Sequence, residues 1–177
     1  MQTRRWGRAR HCKRTYKAEI AASAVLLLGI LAGAVLPAQA KTEQLCFPLG
    51  TARYRVSDSY GWRDDPFTGK PAFHKGIDLA CAEGTAVLAA GDGIVVQAKR
   101  SVSYGSFLRI LHPDGSETTY AHLQYSYVRA GEVVRAGQTI GTAGQSGRAT
   151  GAHLHFELQR QGEACDPADV LGFSDAS

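Results

Sequence analysis

The sequence predicts an all-β fold in a single domain, and three observations carry that prediction. Residues 41–177 hold 17 of the 20 glycines, spaced at short intervals between short apolar runs, the pattern of many strands joined by tight turns. Asp114-Gly115 lies between Leu111 and Thr118, a hairpin signal in which glycine supplies the positive φ. No helical periodicity persists beyond two turns. The candidate strands are residues 76–80, 86–90, 93–98, 106–111, 117–122 and 152–158. One short helix is expected over residues 167–171, with Asp166 as its N-cap and Pro167 at the first helical position. Val-Arg-Ala-Gly occurs twice, at 128–131 and 134–137. Two copies are too few for a solenoid and suit successive strand–turn steps of a compact β-barrel or sandwich. Lipoyl and biotinyl carriers use similar steps, but they need an acceptor lysine at a hairpin tip, and no Met-Lys or Asp-Lys pair exists in this chain.

A length of 177 residues fits one domain, and 44% hydrophobic with 20% charged residues argues against disorder. The net charge of +4 is concentrated at the start. Arg4, Arg5, Arg8, Arg10, Lys13, Arg14 and Lys17 stand there against Glu19 alone. Removing those seven from 20 basic residues and that one from 16 acids leaves 13 and 15, so the rest is close to −2. A nucleic-acid partner is excluded, because phosphate recognition needs a basic face on the folded part.

The basic stretch precedes an uncharged run, residues 20–36, and then Pro37-Ala38-Gln39-Ala40, an A-x-A site. Residues 1–40 therefore read as a secretory signal or, uncleaved, an N-terminal membrane anchor, with membrane contact only through residues 20–36. Either places the remainder outside the cytoplasm. Residues 41–55 form a lead-in, 56–171 the domain and 172–177 a tail. Beyond Cys12, the cysteines are Cys46, Cys81 and Cys165, an odd number. One disulfide plus a thiol is the simplest oxidised arrangement, and a Cys46–Cys165 bridge would tie the two ends together. No pair has the spacing of structural zinc.

Four histidines fall in three short settings. In Phe73-His74-Lys75-Gly76-Ile77-Asp78-Leu79, strand alternation puts His74, Gly76 and Asp78 on one face, with Gly76 leaving room between imidazole and carboxylate. In Gly151-Ala152-His153-Leu154-His155-Phe156-Glu157-Leu158, His153, His155 and Glu157 face one way and the apolar residues the other. In Tyr120-Ala121-His122-Leu123, alternation places Tyr120 and His122 together. Imidazole nitrogen and carboxylate oxygen are the donors Zn²⁺ favours, and a catalytic site keeps three of them with a fourth position open for water. Unligated histidines suit proton transfer and oxyanion stabilisation.

These residues resemble the lysostaphin/LytM-type zinc endopeptidases, metallopeptidase family 23, whose signatures H-x(3)-D, Y-x-H and H-x-H occur here in order. The similarity extends from about Val56 to Leu171. It includes Ser59-Tyr60-Gly61-Trp62-Arg63, the run Asp65–Lys70, Gly84-Thr85-Ala86-Val87, Ala90-Gly91-Asp92-Gly93 and the closing Asp166-Pro167. The resemblance implies a largely antiparallel β-sheet or sandwich with an open groove. It implies one zinc ion held by His74, Asp78 and His155, with His153 as general base or proton carrier. His122 would help hold the oxyanion or orient the water, and the substrate would be a peptidoglycan stem or cross-bridge peptide. Relatives with a regulatory role have often lost ligands, whereas this chain has lost none. The alternative is a non-catalytic wall-binding or regulatory module of the envelope. Of the remaining residues, His112 is expected in a turn without chemistry and Tyr120 packing the sheet. Glu157 is either a solvated acid or a partner orienting an imidazole, and Arg63 either caps a loop or lines the groove. Neither the scissile bond nor the oligomeric state follows from the sequence.

Overall fold

A computed structural model describes residues 45–171. The expected leader and tail lie outside the described residues, as does the start of the lead-in. Strands dominate. β1 (Arg55–Asp58), β4 (Ile77–Ala80), β11 (His153–Arg160), β8 (Glu117–Ser126), β7 (Gly105–Leu111), β6 (Gly93–Ser101) and β9 (Val133–Val134) lie side by side in that order. β5 (Ala86–Leu88) pairs with β10 (Thr139–Ala143), which joins β8, while β12 (Glu163–Cys165) pairs with β11. β2 (Gly61–Asp64) and β3 (Pro71–His74) form a separate hairpin. Every pairing is antiparallel.

The expected strands are all present, and the expected helix is α1 (Ala168–Leu171). Asp166 Oδ1 accepts the Ala168 N–H at 2.9 Å, the N-cap bond, with Pro167 between them. The Val-Arg-Ala-Gly repeat is two equivalent turns. Glu132 N–H reaches Arg129 O at 3.1 Å, and Gln138 N–H reaches Arg135 O at 2.9 Å. Gly131 and Gly137 supply the positive φ each turn needs at its third position (92° and 79°).

Alternation along β11 sends Leu154, Phe156 and Leu158 into the core, with His153, His155 and Glu157 on the opposite face. Phe156 meets Tyr120 of β8 edge-on, centroids 5.3 Å apart, so Tyr120 packs the sheet as expected. Its hydroxyl accepts the Ala90 N–H at 2.7 Å and a bond from Thr118 Oγ1 at 3.0 Å. His112 continues that chain from Nε2 to Thr118 Oγ1 at 2.8 Å and is buried. The bridge expected between Cys46 and Cys165 is not formed: Cys46 is buried, and Cys165 sits on the edge strand β12. Among the described residues, no helix is long and apolar enough to cross a membrane.

Candidate metal centre and active-site groove

Asp78 on β4 and His155 on β11 are direct cross-strand partners, so the antiparallel register alone brings their side chains together. His155 Nδ1 lies 2.8 Å from Asp78 Oδ1. His74 arrives differently from the expectation of one continuous strand. It ends β3, and the chain breaks at Lys75-Gly76 before β4 begins. Gly76 therefore does not act as a gap between two side chains on one face. A Cβ there would lie 2.3 Å from Phe156 O and 3.0 Å from His155 Cε1. Glycine is required because the crossover between the two strands lies directly against β11. The crossover delivers His74 Nε2 to 3.3 Å from Asp78 Oδ1 and 3.0 Å from His155 Nδ1.

The second nitrogen of each ring fixes the first. His74 Nδ1–H donates to Ser59 O at 2.9 Å, and His155 Nε2–H donates to Glu157 Oε1 at 3.0 Å. Each ring thus keeps one nitrogen, His74 Nε2 and His155 Nδ1, beside the same carboxylate oxygen. Three ligand atoms 2.8–3.3 Å apart are close enough to share one cation, a proton or a metal ion. Bonds of ~2.0–2.1 Å at tetrahedral angles imply donor separations of about 3.3 Å, so the set fits a zinc ion. Among the described residues, these three form the one such cluster. Burial on its own would raise the Asp78 carboxyl, but hydrogen bonds from His155 and His74 hold it far below the carboxylate range. Burial on its own would lower His155, and the Asp78 and Glu157 carboxylates override it, pushing the ring up to about 9.

Two more imidazoles stand beside the cluster. His153 Nδ1–H donates to Gly151 O at 2.8 Å, with Nε2 3.8 Å from Asp78 Oδ1. His122 Nδ1–H donates to Ser146 O at 2.7 Å, and its ring lies 4.6 Å from that of His153. Burial, with the two neighbouring imidazoles adding to it against the Ser146 carbonyl, pushes His122 down to about 4, so the ring is neutral at neutral pH. The expectation that Tyr120 and His122 share a face fails. Tyr120 is in the core while His122 lines the groove, because His122 adopts φ 59° and breaks the alternation. A non-glycine residue in that conformation is costly and clusters at functional sites.

The groove above these rings is walled by the hairpin loop carrying Asp65 and Phe67 and by the loop carrying Arg148. Arg63 lines it, the second of its two alternatives, and also pairs with Asp58 at the end of β1. Glu157 is no solvated acid: it is 1% exposed and bonded to His155. The sequence reading missed Tyr104, which precedes β7 and lines the same groove. Its only local signal was the neighbouring Gly105. There the loop entering β7 and the loop after β10 approach backbone to backbone. A Cβ on Gly105 would sit 2.3 Å from Ser146 C, and one on Gly147 2.2 Å from Gly105 N. Arg148 N–H to Ser103 O (2.9 Å) and Ser106 N–H to Ser146 Oγ (2.9 Å) join the same two loops.

A family model of peptidase family M23 matches residues 72–167, more than half of the chain and all five residues of the site. The chain belongs to peptidase family M23. The M23 domain is 41% identical over 117 residues to the peptidoglycan DD-endopeptidase ShyC of Vibrio cholerae, covering 66% of this chain and 27% of that protein. It therefore spans about a quarter of the length of such a relative. A zinc-containing peptidase from Vibrio cholerae superposes with a TM-score of 0.63 at 35% identity, covering 68% of this chain and 37% of that one. The catalytic domain of lysostaphin from Staphylococcus simulans gives 0.62 at 32% identity, covering 67% and 92%. M23 peptidases are zinc metallopeptidases, and the His-Asp-His cluster has the donor set for that metal.

Proposed function

We propose that this chain is a zinc-dependent endopeptidase that hydrolyses peptide bonds of peptidoglycan outside the cytoplasm. The observation that carries the reading is the convergence of His74 Nε2, Asp78 Oδ1 and His155 Nδ1 in an open groove, with two further imidazoles alongside. When bound, zinc supplies Lewis acidity that polarises a peptide carbonyl and acidifies water. The chain supplies positioning and proton transfer. Asp78 and His155 are fixed by strand register, and His74 by Ser59. His153, held through Nδ1, presents Nε2 to accept the proton of the attacking water and return it to the leaving amine. His122 carries its proton on Nδ1 toward Ser146, which leaves Nε2 an acceptor. That tautomer favours orienting the water over donating to the oxyanion. The name of the Vibrio cholerae relative, a DD-endopeptidase, favours cross-links between D-configured residues as the substrate. Export through the basic and apolar leader, residues 1–40, agrees with a wall substrate.

Digestion of defined muropeptides with and without chelator, with products identified by mass spectrometry, tests the reading. Stoichiometric zinc and chelator-sensitive cleavage are expected. Fully zinc-loaded protein that leaves wall peptides of several chemotypes uncut overturns it.

A further inference from the structure

Glu157 presents a physical puzzle. It lies on β11 with 1% exposure, and Oε2 has no hydrogen-bond partner among the described residues. A carboxylate buried this deeply, with one oxygen unpaired, is expensive for a strand whose role is packing. All of its observed bonds run from Oε1, which accepts the Tyr104 O–H at 2.6 Å and the His155 Nε2–H at 3.0 Å. The Tyr104 ring also stacks on the His155 ring, with centroids 5.7 Å apart and planes inclined by 27°. One side chain thus holds the proton of His155 and the other holds its plane. His74, by contrast, leans on the neutral carbonyl of Ser59.

We propose that Glu157 and Tyr104 act as a pair of positioning residues for His155, fixing its Nε2–H tautomer and ring plane so that Nδ1 is committed to the metal. The inference rests on the metal reading above. A carboxylate behind an imidazole ligand raises its basicity as well as orienting it, and losing such a partner typically weakens metal affinity by roughly 10–100-fold. Tyr104 acts through Glu157. Its hydroxyl, a 2.6 Å donor, points the one usable oxygen at His155, and its ring limits rotation.

The test is zinc affinity, measured on the full chain by chelator competition with zinc alone, for wild type, Glu157→Gln, Tyr104→Phe and the double variant. Melting curves of the metal-free proteins run alongside. Glu157→Gln is expected to weaken zinc roughly 10–100-fold. Tyr104→Phe, which keeps the ring, is expected to weaken it several-fold, and to add little in the Glu157→Gln background because the two act in series. A purely structural role would lower the metal-free melting temperature and leave the affinities unchanged. If wild type binds zinc and both single variants bind it within twofold, this inference falls and the metal centre stands. If wild type binds no stoichiometric zinc, both fall. Should Glu157→Gln fail to fold, Tyr104→Phe decides alone: lower affinity supports the pair, and unchanged affinity overturns it.

Discussion

Asp65 and Arg148 stand 83 positions apart in sequence and meet beside the groove, with Arg148 Nη2 2.7 Å from Asp65 Oδ1. The same oxygen accepts the Phe67 and Thr68 N–H groups at 2.9 Å each, and the Arg148 guanidinium lies 4.4 Å from the centroid of the Phe67 ring. Burial on its own would raise the Asp65 carboxyl, but the Phe67 and Thr68 N–H groups, the Thr68 hydroxyl and Arg148 together hold it below its usual range. An exposed pair contributes little to stability, so this contact acts on the shape of the groove. Arg148→Ala is expected to raise KM for a cross-linked muropeptide several-fold, leaving zinc content and melting temperature unchanged. Steady-state kinetics and a thermal melt check it; a fall in kcat at constant KM would contradict it.

The unligated histidines separate chemistry from metal binding. His153→Ala is expected to lower kcat by about 10²–10⁴-fold while zinc content stays near one per chain. His74→Ala should lose zinc and activity together, since it removes one of three donors. Metal analysis beside muropeptide kinetics checks both. A kcat unchanged in a zinc-loaded His153→Ala protein would remove His153 from the proton-transfer role, whereas no cleavage by zinc-loaded wild type would favour the non-catalytic module.

Gly76→Ala should be severe. The added methyl would meet Phe156 O at 2.3 Å, and neither backbone can retreat without disturbing the β4–β11 register. A loss of roughly 3 kcal/mol or more, at the upper end of overpacking costs, is expected together with weaker zinc binding. Chemical denaturation and zinc titration measure the two effects.

Tyr120 predicts an alkaline transition. Burial raises its hydroxyl to about 12, against hydrogen bonds from Thr118 and Ala90. Between pH 10 and 12 the unfolded tyrosine releases its proton while the folded one keeps it, so stability falls as pH rises. Two units correspond to about 2–3 kcal/mol. At pH 8, Tyr120→Phe costs roughly 1–3 kcal/mol for the orphaned Ala90 N–H. The gap between the two proteins should then close above pH 10; a gap constant to pH 12 would contradict the burial argument.

Local pattern was sufficient wherever the backbone is regular. The alternation of β11 placed His153, His155 and Glu157 correctly, and the turn residues marked the strand ends. It failed where the backbone departs from regular geometry. The break at Lys75-Gly76 replaces the strand expected between His74 and Asp78, and φ 59° at His122 reverses the face expected from Tyr120. Alternation could not separate His155 from His153; the resemblance did, and Nδ1 of His155 lies in the donor cluster. Tyr104 and the Asp65–Arg148 contact depend on pairings 53 and 83 residues apart, which no local spacing encodes.

The backbone contact between Gly105 and Gly147 has a consequence for engineering. With no space for a side chain at either position, the loop bearing Ser103 and Tyr104 and the loop bearing Ser146 and Arg148 form one packed unit. Grafting either from a relative of different specificity would force its partner out of place. A productive chimera exchanges residues 101–106 and 144–151 together.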